Sequence, residues 1–334
     1  AIVHKLESVR TILHSIPEAQ RLQAVSVPET ISGETVLHYI VVRRKYDESI
    51  RTILELLPES QRSTAVSLQD GEGNTILHSA ARSCNFKHVK GILGTLTRSE
   101  GLNAVNVPDG DGKTTLQYAL GSSGNIEPIK TILALYPESQ HSQVVSTPCG
   151  RQGETALHCA AGSGNIESIK FILALYPDSL RSQAVSKRDR QGKTVLHHAV
   201  RSKCLPELAI QTTLTLLPES ERAQVVNMRD HQEGTALHYA ARSGNSESIK
   251  ALLAVYPESL LLQAISVSDI NRITVWQYVA RSRNFDCTKD ILAMLPESQR
   301  MQALSMRDIE GATVLHHGSG NLPQFIHPLK EILS

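Results

Sequence analysis

Residues 155–177 read T-A-L-H-C-A-A-G-S-G-N-I-E-S-I-K-F-I-L-A-L-Y-P, and a close copy returns at 235–257. The opening Thr-x-Leu-His is the fixed point of the chain. Its threonines are Thr35, Thr75, Thr114, Thr155, Thr194, Thr235, Thr274 and Thr313, so successive copies stand 39 to 41 residues apart. A period this tight means one small supersecondary unit stacked about eight times, not one globular core with a cleft. Such an array offers a long surface, which favours binding over catalysis.

The phrase reads as two helices. Threonine suits the N-cap of the first, where its oxygen can accept a backbone N–H. Leu157, Ala160 and Ala161 follow at helical spacing, and the alanines let neighbouring helices approach closely. Ser-Gly-Asn at 163–165 and 243–245 closes this helix, with glycine in the left-handed position. The second helix carries Ile166, Ile169, Ile172 and Leu173 along one stripe, with Glu167 in its first turn and Lys170 outward. Tyr176-Pro177, or Leu217-Pro218 in another copy, ends it because proline cannot continue the ladder. Before the threonines stands Asp-x-x-Gly, as in Asp70-Gly73, Asp189-Gly192 and Asp308-Gly311, which is turn chemistry.

Taken together, D-x-x-G-x-T, T-x-L-H-x-A-A, S-G-N and an Ile/Leu-rich helix resemble the ankyrin repeat over essentially all of residues 1–334. The resemblance implies an all-α solenoid: about eight helix-turn-helix units with outward β-hairpin fingers, forming a single domain with partial units at both ends. Ankyrin units usually run to about 33 residues, so each unit here has a surplus. It is the phrase P-E-S-x-R-x-Q-A-V-S, seen with small changes at 58–67, 218–227 and 296–305. Proline at the first helical position followed by glutamate favours an extra helical turn per unit. In this stereotyped insert the chain also resembles the ankyrin-repeat effectors that intracellular bacteria deliver into host cells. That resemblance implies an adaptor acting in the host cytosol.

Composition narrows the possibilities. With 34 basic and 33 acidic residues, net charge selects no partner. No apolar run approaches the 18 or so residues that span a bilayer. Five scattered cysteines without a C-x-x-C pair read as reduced thiols in a cytosol-like compartment. The chain starts at Ala1 and matches the middle of a repeat by residue 7, which suggests a fragment of a longer protein.

Histidine occupies the fourth position of the phrase at His38, His78, His158, His197, His238 and His316, with Gln117 and Gln277 in two other copies. Copies about 10 Å apart in packed helices are too distant to share a metal ion. The resemblance implies instead that each histidine bonds its own threonine and the neighbouring finger. Cys159 follows His158, but adjacent helical residues diverge by about 100° and make no dyad. No nucleophile elbow, P-loop or zinc-protease motif is present. The chain is therefore expected to be no enzyme and to need no cofactor or metal.

The next column holds Tyr39, Ser79, Tyr118, Cys159, His198, Tyr239, Tyr278 and His317. Three residues further come Arg82, Arg201, Arg242 and Arg281, flanked by Arg43, Arg44, Lys203 and Arg283. The i, i+3 spacing puts Tyr239 with Arg242, Tyr278 with Arg281 and His198 with Arg201 on one face. In an ankyrin stack that face is implied to line the concave groove, and tyrosine and arginine are the residues enriched at hot spots. Finger residues Arg151, Arg190 and Lys193 add positive charge, whereas earlier tips carry Glu72 and Asp111. An arginine in the last turn also offsets the helix dipole. The expectation is a monomeric scaffold that grips an acidic segment of a partner protein. The alternatives are nucleic acid or phosphoinositide on the basic 151–283 surface, or a targeting arm for an enzyme domain elsewhere. The glycine-free finger Asn271-Arg272-Ile273 reads as drift or as a contact site, and the irregular end beyond His316 as a cap.

Overall fold

Threonine starts the first helix of a repeat by giving its amide to the histidine three residues on. Thr75 N–H donates to His78 Nδ1 at 2.9 Å; Thr35, Thr155, Thr194 and Thr235 do the same to His38, His158, His197 and His238 at 3.1 to 3.3 Å. This is a capping box with imidazole in place of carboxylate. An accepting Nδ1 leaves the proton on Nε2, and that atom reaches into the next repeat. His38 Nε2 donates to the Asn74 carbonyl at 2.9 Å, His78 to Lys113 at 3.2 Å and His197 to Gly234 at 3.0 Å. Gln117 and Gln277 accept the same threonine amides through Oε1, at 3.0 and 2.8 Å.

The computed structural model describes residues 2–42, 49–83, 86–121, 125–282, 284–307, 311–313 and 316. Arg43, Arg44, Arg283, His317 and the irregular end beyond His316 lie outside the described residues. Two compact units are formed, Ala1–Cys159 and Ala160–Ser334.

In the first unit the helices Val36–Val42, Ile76–Arg82 and Thr115–Gly121 stack side by side. Behind them stack Ser49–Glu55, Phe86–Leu93 and Glu127–Leu133. In the second unit Val195–Val200, Ala236–Ser243 and Val275–Arg281 form the front row. Ile166–Ala174, Pro206–Thr215, Ser246–Leu253 and Phe285–Met294 form the back row. The core lies between rows, where Leu77, Ala80, Ala81, Leu196, Ala240 and Ala241 are buried. Trp276 takes the leucine place and is fully enclosed. Each buried leucine contributes about 1.5–3 kcal/mol.

The surplus residues make more than the expected added turn. They fold as a separate third helix: Glu59–Val66, Arg98–Val105, Asp178–Val185, Glu219–Val226, Glu258–Ser266 and Glu297–Ser305. Proline, or Thr97 in one repeat, is the N-cap here (Pro58 φ −50°, ψ 141°) and not the first helical residue, since its extended ψ sets the chain's entry into the turn. The arginine of the phrase then folds back and caps the second helix. Arg62 Nε donates to the Leu54 and Leu57 carbonyls at 3.1 and 3.2 Å. Arg21 and Arg181 reach Leu13 and Leu173 in the same way, and His141 Nε2 reaches Leu133 at 2.9 Å. A cation at the carbonyl end of a helix satisfies orphan acceptors and offsets the dipole.

Among the described residues every regular element is helical, and the expected β-hairpin fingers are tight loops. Isolated antiparallel bridges such as Gln69 with Thr75 and Ser268 with Thr274 stand where paired strands would be. Asp70 closes one loop, its Oδ1 accepting the Glu72 and Asn74 amides at 2.9 and 2.8 Å. Consecutive fingers are sewn together by single backbone bonds: Gly71 N to Ser32 O at 2.9 Å, Gly110 N to Glu72 O at 3.0 Å, His231 N to Gln191 O at 3.0 Å. Gly73, at φ +82°, lets that contact form, because a Cβ there would stand 2.5 Å from the Gly110 nitrogen.

Candidate partner-binding surface

The column after the histidine faces out from the front row, and the finger aspartate claims it. Tyr118 Oη donates to Asp109 Oδ2 at 2.6 Å and Tyr278 Oη to Asp269 Oδ2 at 2.7 Å. Tyr239 makes the same bond, a short one, to Asp230. His198 Nε2 takes the tyrosine's role against Asp189, at 2.9 Å. Each acceptor lies nine residues before its donor. That fixed nine-residue offset is a sequence signal for these aspartates, which residue type alone does not mark as partners of the column.

Rings and cations interleave between repeats. His78 meets Tyr118 edge-on with centroids 5.4 Å apart, and His197 meets Tyr239 likewise at 5.4 Å. Arg82, at the end of its helix, lies over the next repeat's ring, its Cζ 4.7 Å from the Tyr118 centroid. Its Nη2 donates to Asn74 Oδ1 at 2.8 Å and to Tyr118 Oη at 3.0 Å. Lys193 Nζ stands 5.4 Å from the Tyr239 centroid and bonds Gln191 at 2.7 Å. A cation over an aromatic face gains about 0.5–1 kcal/mol at such half-exposed sites.

Electrostatics follow from this packing. Burial first, then the facing carboxylate, pushes Tyr118 and Tyr278 up to about 12 and raises Tyr239 as well. Burial alone would raise Asp109, yet the Tyr118 hydroxyl and the Lys113 and Asp111 amides together hold it below the usual carboxylate range. Asp189 is depressed in the same way, with His198 as the side-chain donor. Burial lowers His78 and His238, and takes His197 down to about 4. These groups therefore keep fixed charge states at neutral pH.

Tyr118, Tyr239, Tyr278 and His198 are therefore half-buried and committed to the stack. Tyr39 is 47% exposed; its finger has Thr30 where those of Tyr118, Tyr239 and Tyr278 have aspartate. Arg151 pairs with the preceding finger tip, Nε to Asp111 Oδ1 at 3.0 Å and Nη2 to the Gly110 carbonyl at 3.1 Å. In the second unit Arg190 projects from a finger, and Arg201, Arg242 and Arg281 are exposed at successive helix ends. Neither Arg201 nor Arg242 has an ion-pair partner among the described residues. No cluster of three or more metal-ligating side chains occurs among them, and no helix is long and apolar enough to cross a membrane.

A family model of ankyrin repeats (three copies) matches residues 135–209 and 183–259. Compared by sequence with curated proteins, the chain matches none. Among solved structures it is similar to the ankyrin repeat domain of Bcl-3, a member of the IkappaB protein family, with a TM-score of 0.52 and 19% identity. That match covers 78% of this chain and 99% of the Bcl-3 domain, and at such identity it speaks for the fold. The chain thus carries ankyrin repeats, recognised by sequence across residues 135–259, and its fold is that of an ankyrin-repeat domain.

Proposed function

We propose that the chain is a monomeric, non-catalytic scaffold whose second unit binds an acidic segment of a partner protein through Arg201, Arg242 and Arg281. Ankyrin repeats are protein–protein interaction modules. The observation that carries the reading is the arginine row: one exposed guanidinium per repeat at the end of each front helix, above tyrosines already held by aspartates. Arg190 and Lys193 extend the positive face toward the fingers. Guanidinium groups pair carboxylates bidentately, so a segment with acids at matching intervals gains geometry as well as charge. The stereotyped third helix supports the narrower reading of a secreted bacterial effector working in a host cytosol, which translocation of a reporter fusion into host cells would test.

The double variant Arg201→Glu with Arg242→Glu tests the binding reading. Titrated with Glu-rich peptides, the parent should bind and the variant should not, with circular dichroism and melting unchanged. Loss of folding would make these scaffold residues. Steeper binding to nucleic acid or phosphoinositide vesicles, collapsing between low and moderate salt, would replace the protein reading with a phosphate one.

A further inference from the structure

Among the described residues one repeat keeps the finger aspartate but lacks the aromatic donor that meets it elsewhere. The finger aspartate of that repeat is Asp70, and nine residues on stands Ser79, where Tyr118, His198, Tyr239 and Tyr278 stand elsewhere. A pocket of about 610 Å³ opens there, lined by Asp70, Ser79, Glu34, Glu72, Val42 and Ile31 among others.

Its walls are the positions that hold a ring in other repeats. Arg82, seven residues after its threonine, covers Tyr118; Val42, seven after Thr35, is the corresponding roof and is 51% exposed. Lys193, just before its threonine, covers Tyr239; Glu34 holds that place here. Ser79 is only 8% exposed, and its hydroxyl makes no hydrogen bond among the described residues. Asp70 Oδ2 receives the Asn74 amide at 3.0 Å and keeps a second lone pair for another donor.

We propose that this pocket receives a tyrosine side chain from a partner protein, its ring under Val42 and its hydroxyl donating to Asp70. The one lining cation, Arg82, is held by Asn74 and Tyr118, so the three carboxylates Asp70, Glu34 and Glu72 outnumber it and select basic residues beside that tyrosine. The inference rests on the protein-binding reading above but concerns the other unit and the opposite charge. The template is the molecule's own: three of its tyrosines already make this bond, and the incoming ring completes the series.

The probe is the peptide acetyl-Gly-Ser-Lys-Tyr-Lys-Ser-Gly-amide, titrated by NMR or calorimetry into the full chain, beside its Phe and Ala counterparts. Removing the hydroxyl should weaken binding at least about fivefold, since a bond to a carboxylate is lost. Ser79→Tyr should abolish binding and raise the melting temperature, because the chain then fills its own pocket. Glu34→Gln with Glu72→Gln, the first half-buried and the second exposed, should weaken binding of the lysine-flanked peptide while the melt stays near that of the parent. Arg201→Glu with Arg242→Glu should leave it unchanged, so this inference and the arginine reading fail separately. Equal binding of the Phe or Ala peptide, binding that survives Ser79→Tyr, or no binding by the parent at millimolar peptide would each overturn it.

Discussion

His197 Nε2 lies 3.0 Å from the carbonyl oxygen of Gly234, one repeat away, while its Nδ1 accepts the Thr194 amide at 3.1 Å. One neutral imidazole thereby caps its own helix and fastens the next finger. Protonating Nδ1 would remove the acceptor, so the contact depends on the ring staying uncharged.

Acid should therefore loosen the stack before carboxylates titrate in bulk. Burial lowers His197 to about 4 in the folded chain, against about 6.5 when unfolded. Between those values the unfolded state holds the extra proton, so stability is complete above pH 6.5 and falls as pH drops toward 4. The shift corresponds to about 3 kcal/mol for this one group. His78 and His238, also lowered by burial, add in the same direction. His197→Gln, which imitates Gln117 and Gln277, should flatten the pH dependence of urea midpoints in that window. An unchanged slope would mean that His197 is not the titrating group.

In several repeats the third helix stands on one arginine, as at Arg62, Arg181 and Arg222. Arg62→Ala removes donors from the Leu54 and Leu57 carbonyls and should cost about 1–2 kcal/mol in chemical unfolding. Arg62→Lys should recover little, since a point charge cannot match a fork shared between two carbonyls. Full rescue by lysine would reduce the contact to a dipole effect.

The two helices of the repeat and its threonine caps were legible because periodicity and capping are local. The third helix was read as a single turn because its stability is tertiary: Pro58 starts it, but Arg62 binds the helix before it. The tyrosines were read as exposed anchors for a related reason. Spacing of i and i+3 shows which residues share a helix face, yet says nothing of the finger folding over that face. Asp230 reaches Tyr239 from outside the helix, and only the constant nine-residue offset announced it. The arginine column was legible and stays exposed in the second unit, while Arg151 turned out to serve its neighbouring finger.

Fingers should respond oppositely to glycine at equivalent sites. Gly73→Ala would press a Cβ against the Gly110 nitrogen at 2.5 Å and force a positive φ on alanine, so a loss of more than about 1 kcal/mol is expected. Arg272 holds the same place with φ +58°. Arg272→Gly should relieve that strain and raise stability by about 0.5–1 kcal/mol. Thermal melts of the two variants check both signs, and destabilisation by Arg272→Gly would mean that its side chain holds the finger.

Tyrosine and arginine of one front helix should separate cleanly under mutation. Tyr239→Phe strips the side-chain donor from Asp230, which is 4% exposed and would keep only the Gln232 and Gly234 amides, both on Oδ1. An unsatisfied buried acceptor costs about 1–3 kcal/mol, and chemical unfolding should read a loss of that size. Arg242→Ala, at an exposed position, should stay within about 0.5 kcal/mol of the parent. Binding should invert the ranking: Tyr239→Phe retains the acidic ligand and Arg242→Ala weakens it. If Tyr239→Phe lost binding at full stability, the hydroxyl would be a contact and not a brace. The division between a tyrosine scaffold and an arginine surface would then be wrong.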